Sequence, residues 1–96
     1  MEHFLIRYTP PRETFVDDIT NEESAVIDRH FEYLKRLHLN DRLLLAGRTE
    51  RGELGIAVIL AENLEQAEQI MADDPAVVEN IFTGKVYPYR IALMKE

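Results

Sequence analysis

The run Ile56-Ala57-Val58-Ile59-Leu60-Ala61 is apolar at every position. It constrains this chain more than any other stretch. A strand with one face in water alternates apolar and polar residues, so a run without alternation reads as a strand covered on both faces. A second stretch, Leu43 to Ala46, has the same character. One layer of helices covers only one face of a small sheet. The remaining face needs another cover, and a second copy of the same sheet is the simplest one. A homodimer through the open sheet face is therefore expected.

The other elements follow in order. Glu2 to Thr9 alternates with a period of two and reads as the first strand. Pro10-Pro11 stops it, because proline has no N–H for the ladder. Residues 12–19 read as a loop carrying two apolar residues, Phe15 and Val16. These either fold over a pocket mouth as a lid or plug the edge of the core. Thr20 to His38 reads as an amphipathic helix. Thr20 and Glu23 have capping-box spacing. Val26, Ile27, Phe31, Leu34 and Leu37 define its apolar face. His30 falls inside that arc.

Asp41 to Thr49 and Leu54 to Ala61 read as two strands joined by the turn Glu50-Arg51-Gly52-Glu53. Strands this close in sequence are expected to be antiparallel neighbours. Asn63 to Asp73 reads as the second helix, with Leu64, Ala67, Ile70 and Met71 as its stripe. Asp74-Pro75 then opens a short helix, Ala76 to Ile81, with Asp74 as its cap. Lys85 to Met94 reads as the last strand, with Pro88 marking an edge or a bulge. The order is β-α-β-β-α-β, the ferredoxin-like arrangement of a four-stranded antiparallel sheet, in the α+β class.

Composition excludes several functions. The chain of 96 residues is expected to form one domain, residues 1–96. Its net charge of -7 argues against nucleic acid as a partner and against anionic membrane surfaces. With no cysteine there is no disulfide framework and no thiolate chemistry. No apolar run approaches the roughly 20 residues of a membrane span. The start, MEHFLIRYT, lacks the features of a signal peptide, and a cytoplasmic location is expected.

The chemistry left is histidine with carboxylate. His3, His30 and His38 lack the spacing of a metal site, so no metal is expected. Phosphate-binding loops and nucleophile elbows are absent from the sequence, and no cofactor is implied. A buried imidazole needs a partner to fix its tautomer. Asp74, at the corner between two helices, is the sharpest candidate for that partner, although capping alone explains an Asp before Pro. Arg48 could hold an anionic substrate group or stand as a solvated charge. Tyr8 could donate a proton or stack on a ring, or simply pack.

Three stretches in order carry a resemblance. His30 to Leu37 (HFEYLKRL), Leu43 to Gly47 (LLLAG) and Ala67 to Pro75 (AEQIMADDP) resemble the YCII-related domain family, and Tyr8 to Arg12 (YTPPR) looks like a variant within it. The resemblance implies a dimeric α+β barrel and a His–Asp pair, His30 and Asp74. This sequence departs from the pattern at Arg48, where proline usually follows Ala-Gly, which alters the pocket rim. The leading expectation is a small enzyme that binds a small organic molecule. His30 and Asp74 would act as a general acid/base pair in elimination or isomerisation, with Arg48 and Tyr8 on the substrate. The alternatives are a non-catalytic binding or sensing dimer and a pure interaction domain whose pocket is filled by side chains.

Overall fold

A computed structural model describes residues 1–95. It contains β1 (Glu2–Thr9), α1 (Phe15–Asp18), α2 (Asn21–Leu39), β2 (Leu43–Arg48) and β3 (Gly55–Ala61). These are followed by α3 (Leu64–Ala72), α4 (Pro75–Val78) and β4 (Thr83–Pro88). The sheet is antiparallel with strand order β2-β3-β1-β4. Each helical crossover therefore skips one strand, which is the ferredoxin-like topology the element order implies.

β1 lies at the centre, paired along its length with β3 on one side and β4 on the other. Its buried residues Phe4, Ile6 and Tyr8 share a face with Ala57 and Ile59 of β3. Together with Leu34 of α2 and Ala67 of α3 they form the core between sheet and helices. The opposite face carries an apolar row, Leu45–Val58–Leu5–Tyr87, that crosses all four strands.

The caps show why the helices stand where they do. The Thr20 side chain accepts from the Glu23 N–H while the Glu23 carboxylate accepts from the Thr20 N–H. Arg12 donates to the same Glu23 carboxylate and to Asp18. That pairing holds the Glu23 carboxyl well below the usual carboxylate range, at about 2. At α3 the Asn63 side chain accepts from the Gln66 N–H.

Several boundaries differ from the sequence reading. Residues 12–19 are not all loop: Phe15–Asp18 makes one helical turn. Phe15 is buried and Val16 is exposed, so the first plugs the core and the second lies on the surface. Phe31 is also exposed, not part of the buried helix face, and Lys35 Nζ sits 4.9 Å from its ring centre. β2 starts at Leu43 rather than Asp41, because Asp41 takes the left-handed conformation (φ 58°) that turns the chain after α2. The register of β2 shifts between Leu43 and Leu45. The bulge accounts for part of its unbroken apolar run, since an extra residue removes the alternation. Asn80, also left-handed at φ 58°, ends the chain's turn after α4 short of Ile81.

The last strand is the largest correction. It starts at Thr83, before Lys85, and ends at Pro88 rather than Met94. Pro88 has no N–H to continue the ladder. Among the described residues, one further backbone bond follows, from the Tyr89 N–H to the His3 carbonyl.

The β2–β3 turn is locked against α1. Gly52 has φ +73°, and a Cβ there would overlap the Cγ2 of Val16. Gly52→Ala is expected to lower stability by about 1–2 kcal/mol from the left-handed backbone alone, with more from displacing Val16. Adding Val16→Ala should recover the steric part only. Urea denaturation of the two variants checks this; an unchanged midpoint for Gly52→Ala would contradict the packing of α1 on the turn.

Candidate active site

Three elements converge below the turn. Tyr8 is next to the end of β1 and points to the helix side of the sheet. His30 lies midway along α2. Asp74 is the N-cap of α4, where its Oδ1 accepts from the Ala76 N–H at 2.9 Å. Pro75 at the first helical position fixes the corner.

Asp74 is wholly buried, with no exposed surface. Its carboxylate is nonetheless fully engaged. His30 Nδ1 stands 2.8 Å from Oδ1 and 2.7 Å from Oδ2. The Tyr8 hydroxyl donates to Oδ2 at 2.9 Å. Every neighbour of the carboxylate is a donor, the arrangement that an ionised aspartate in a dry interior requires. An ionised carboxylate only accepts, so Nδ1 carries its hydrogen and the imidazole is oriented by Asp74. Capping and orienting, the two roles open for Asp74 in the sequence, are both present in its contacts.

The other ring nitrogen, Nε2, makes no hydrogen bond among the described residues, and the His30 side chain is 12% exposed. It faces a cavity of about 280 Å³ lined by Tyr8, His30, Phe31, Leu34, Arg48 and Phe82. Nε2 is thus the one free polar end of an otherwise satisfied network.

Burial pushes the Tyr8 phenol above its usual range, and the charge of Asp74 pushes the same way. Tyr8 is therefore a neutral donor whose hydrogen is committed to Asp74. Its ring meets the His30 ring edge to face at 5.1 Å and walls the cavity. Arg48, the last residue of β2, is on the cavity rim. Its Nη1 donates to the carbonyls of Thr49 and Glu50, and no carboxylate pairs with it among the described residues.

Two further residues shape the site and were not singled out in the sequence. Phe82 stands perpendicular to the His30 ring, 5.5 Å away, and also packs on Tyr8 and Phe15. It lies between α4 and β4, where no periodicity marks it. Tyr33 donates to the Ile70 carbonyl at 2.7 Å and ties α2 to α3. Half-burial and the nearby charges of Asp73 and Asp74 push its phenol up to about 12. The other histidines lie apart from the cavity; His38 Nδ1 is 3.2 Å from the Leu43 carbonyl at the far end of α2. No helix of the described residues is long and apolar enough to cross a membrane.

The model of the YCII-related domain matches residues 1–90. This chain belongs to the YCII-related domain family. Two solved structures share the fold of this YCII-related chain. A 5-chloro-2-hydroxyhydroquinone dehydrochlorinase (TftG) from Burkholderia phenoliruptrix AC1100, in complex with 2,5-dihydroxybenzoquinone, matches with a TM-score of 0.71 and 15% identity. The match covers 92% of this chain and 93% of the dehydrochlorinase. A muconolactone isomerase matches with a TM-score of 0.70 and 14% identity, over 98% of this chain and 95% of that one. Both likenesses support the α+β fold with a four-stranded antiparallel sheet that the element order implied. Among curated proteins no match is found.

The network generates a stability prediction. Tyr8→Phe leaves one of the three donors to Asp74 missing and is expected to lower stability by about 1–2 kcal/mol. Asp74→Ala, which removes the cap and strands the other donors, should lower it by about 2–4 kcal/mol. Asp74→Asn retains the capping oxygen and should fall between wild type and Asp74→Ala. Denaturant titration checks the ranking; equal losses for the two Asp74 variants would contradict it.

Proposed function

We propose that this protein is a small-molecule enzyme in which His30 acts as general base and acid, oriented by Asp74. We infer that residues 1–96 act as one domain. The observation that carries the reading is the asymmetry of the imidazole: Nδ1 is held on a buried carboxylate, and Nε2 opens on a cavity. With its hydrogen on Nδ1, the neutral ring offers the Nε2 lone pair to a ligand. Nε2 takes a proton from carbon or oxygen, the ring becomes cationic, and the adjacent carboxylate stabilises that charge. Return of the proton to a second position of the ligand gives isomerisation. Loss of a leaving group from the adjacent carbon gives elimination. Both use only groups of this chain. Tyr8 and Phe82 wall the ring, and Arg48 faces the ligand from the rim. The names of the two structural neighbours, a dehydrochlorinase and an isomerase, support this class of chemistry.

The test is proton exchange. A panel of small carbonyl compounds with acidic C–H bonds is incubated with the protein in deuterated water and followed by NMR. Wild type is expected to exchange or turn over at least one of them. His30→Gln should slow that rate about 10²–10⁴-fold. Asp74→Asn should lower kcat with little change in KM and alter the pH–rate profile. Full turnover in His30→Gln would remove the reading, and binding of panel members with no exchange would favour a non-catalytic binding module.

We also propose that the open face of the sheet pairs with a second copy. The row Leu45–Val58–Leu5–Tyr87 gives that face a continuous apolar strip, and Leu45 is half exposed. Sedimentation is expected to give about twice the chain mass of 11.2 kDa. Leu5→Glu, in the middle of the strip, should shift it to the monomer. A monomeric wild type at micromolar concentration would contradict the pairing.

A further inference from the structure

The cavity beside His30 has a neighbour across Phe82. A second cavity of about 210 Å³ lies under α1, walled by Phe15, Val16, Ile19, Ile27 and Leu54. The two share Tyr8, Arg48, Gly55 and Phe82. Gly55 pairs across the sheet with Tyr8 on one side and Arg48 on the other. A Cβ there would point between them, 3.8 Å from the Tyr8 Cβ and 3.9 Å from the Arg48 Cβ. Gly55 therefore puts no side chain into the row where the linings of the two chambers meet. Its φ lies outside the left-handed range, so the backbone itself does not demand glycine.

The chambers differ in chemistry. The first holds the free imidazole nitrogen. The second, under α1, is walled by apolar side chains. Arg48 borders both, and one of its terminal nitrogens is fixed by the Thr49 and Glu50 carbonyls. A guanidinium so positioned, with no carboxylate paired to it among the described residues, is suited to a planar anion. A single cation among aromatic and aliphatic walls matches one negative charge rather than a polyphosphate.

We propose that the site takes a small organic monoacid with an apolar tail. Its carboxylate sits on Arg48, and the tail passes over Gly55 into the chamber under α1. Only the placement of the reacting carbon beside His30 Nε2 rests on the catalytic reading; the binding mode stands on the cavities, Gly55 and Arg48.

Binding tests it without turnover. Calorimetry compares phenylacetate with its 4-methyl, 4-ethyl and 4-propyl derivatives, and each acid with its amide. Affinity is expected to rise about fourfold per added carbon, the gain from burying one methylene. Each acid should bind about tenfold tighter than its amide. Arg48→Met should abolish the preference for acid while leaving the dependence on tail length. Gly55→Val should abolish the dependence on tail length. His30→Gln should retain both trends, so loss of the catalytic reading alone leaves this result unchanged. Affinity that is flat along the series, amides that bind as well as acids, or no binding by any member would overturn the proposal.

Discussion

A carboxylate without any exposed surface sits where β1, α2 and α4 meet, and the geometry of the whole region follows from keeping it satisfied. Removing an ion from water is expensive unless its lone pairs find donors. Asp74 finds them on three separate elements: the Tyr8 hydroxyl from the sheet, the His30 ring from the long helix, and the Ala76 N–H from its own corner. Each bond fixes the position of one element relative to the others. The same interaction therefore serves packing and chemistry. It closes the core at the end of β1, and it leaves the imidazole with one nitrogen committed and one free.

The sheet supplies the rest of the arrangement through register. Tyr8, Gly55 and Arg48 stand in one row on the helix side of three neighbouring strands. The row runs from ring to gap to cation. A bulge in β2 sets this alignment, because it returns Ala46 and Arg48 to the helix side after Leu43. Without the extra residue Arg48 would project to the opposite face. The α1 turn completes the enclosure by resting Val16 on Gly52, where only a residue without a side chain fits.

How much of this was legible in the sequence depends on whether the governing physics is local. The capping box of Thr20 and Glu23 and the Asp-Pro corner rest on neighbouring residues, and both are present in the contacts. Hydrophobic period placed α2, α3 and the first three strands to within two or three residues. It failed for Phe31, because helical spacing does not show where the sheet edge ends and the cavity begins. It failed again after Pro88, where strand-favouring residues had no partner strand to pair with. The turn Phe15–Asp18 was too short to have a period. Of the site, helical phase put His30 on the inner face. Its pairing with Asp74, 44 residues away, was suggested by the corner position of Asp74 and then by the family resemblance, since helical spacing says nothing of it. Phe82 and Gly55 carried no signal, since what matters about each is a neighbour brought by the fold.

Asp74 sets the tautomer of His30 and so frees Nε2. Nitrogen-15 NMR of imidazole-labelled protein tests this directly, because the two tautomers of the neutral ring have distinct shifts. The structure predicts the hydrogen on Nδ1 in the neutral ring of wild type, and loss of that preference in Asp74→Asn. A neutral ring carrying its hydrogen on Nε2 in wild type would contradict the account, since Nδ1 would then be an acceptor facing a carboxylate.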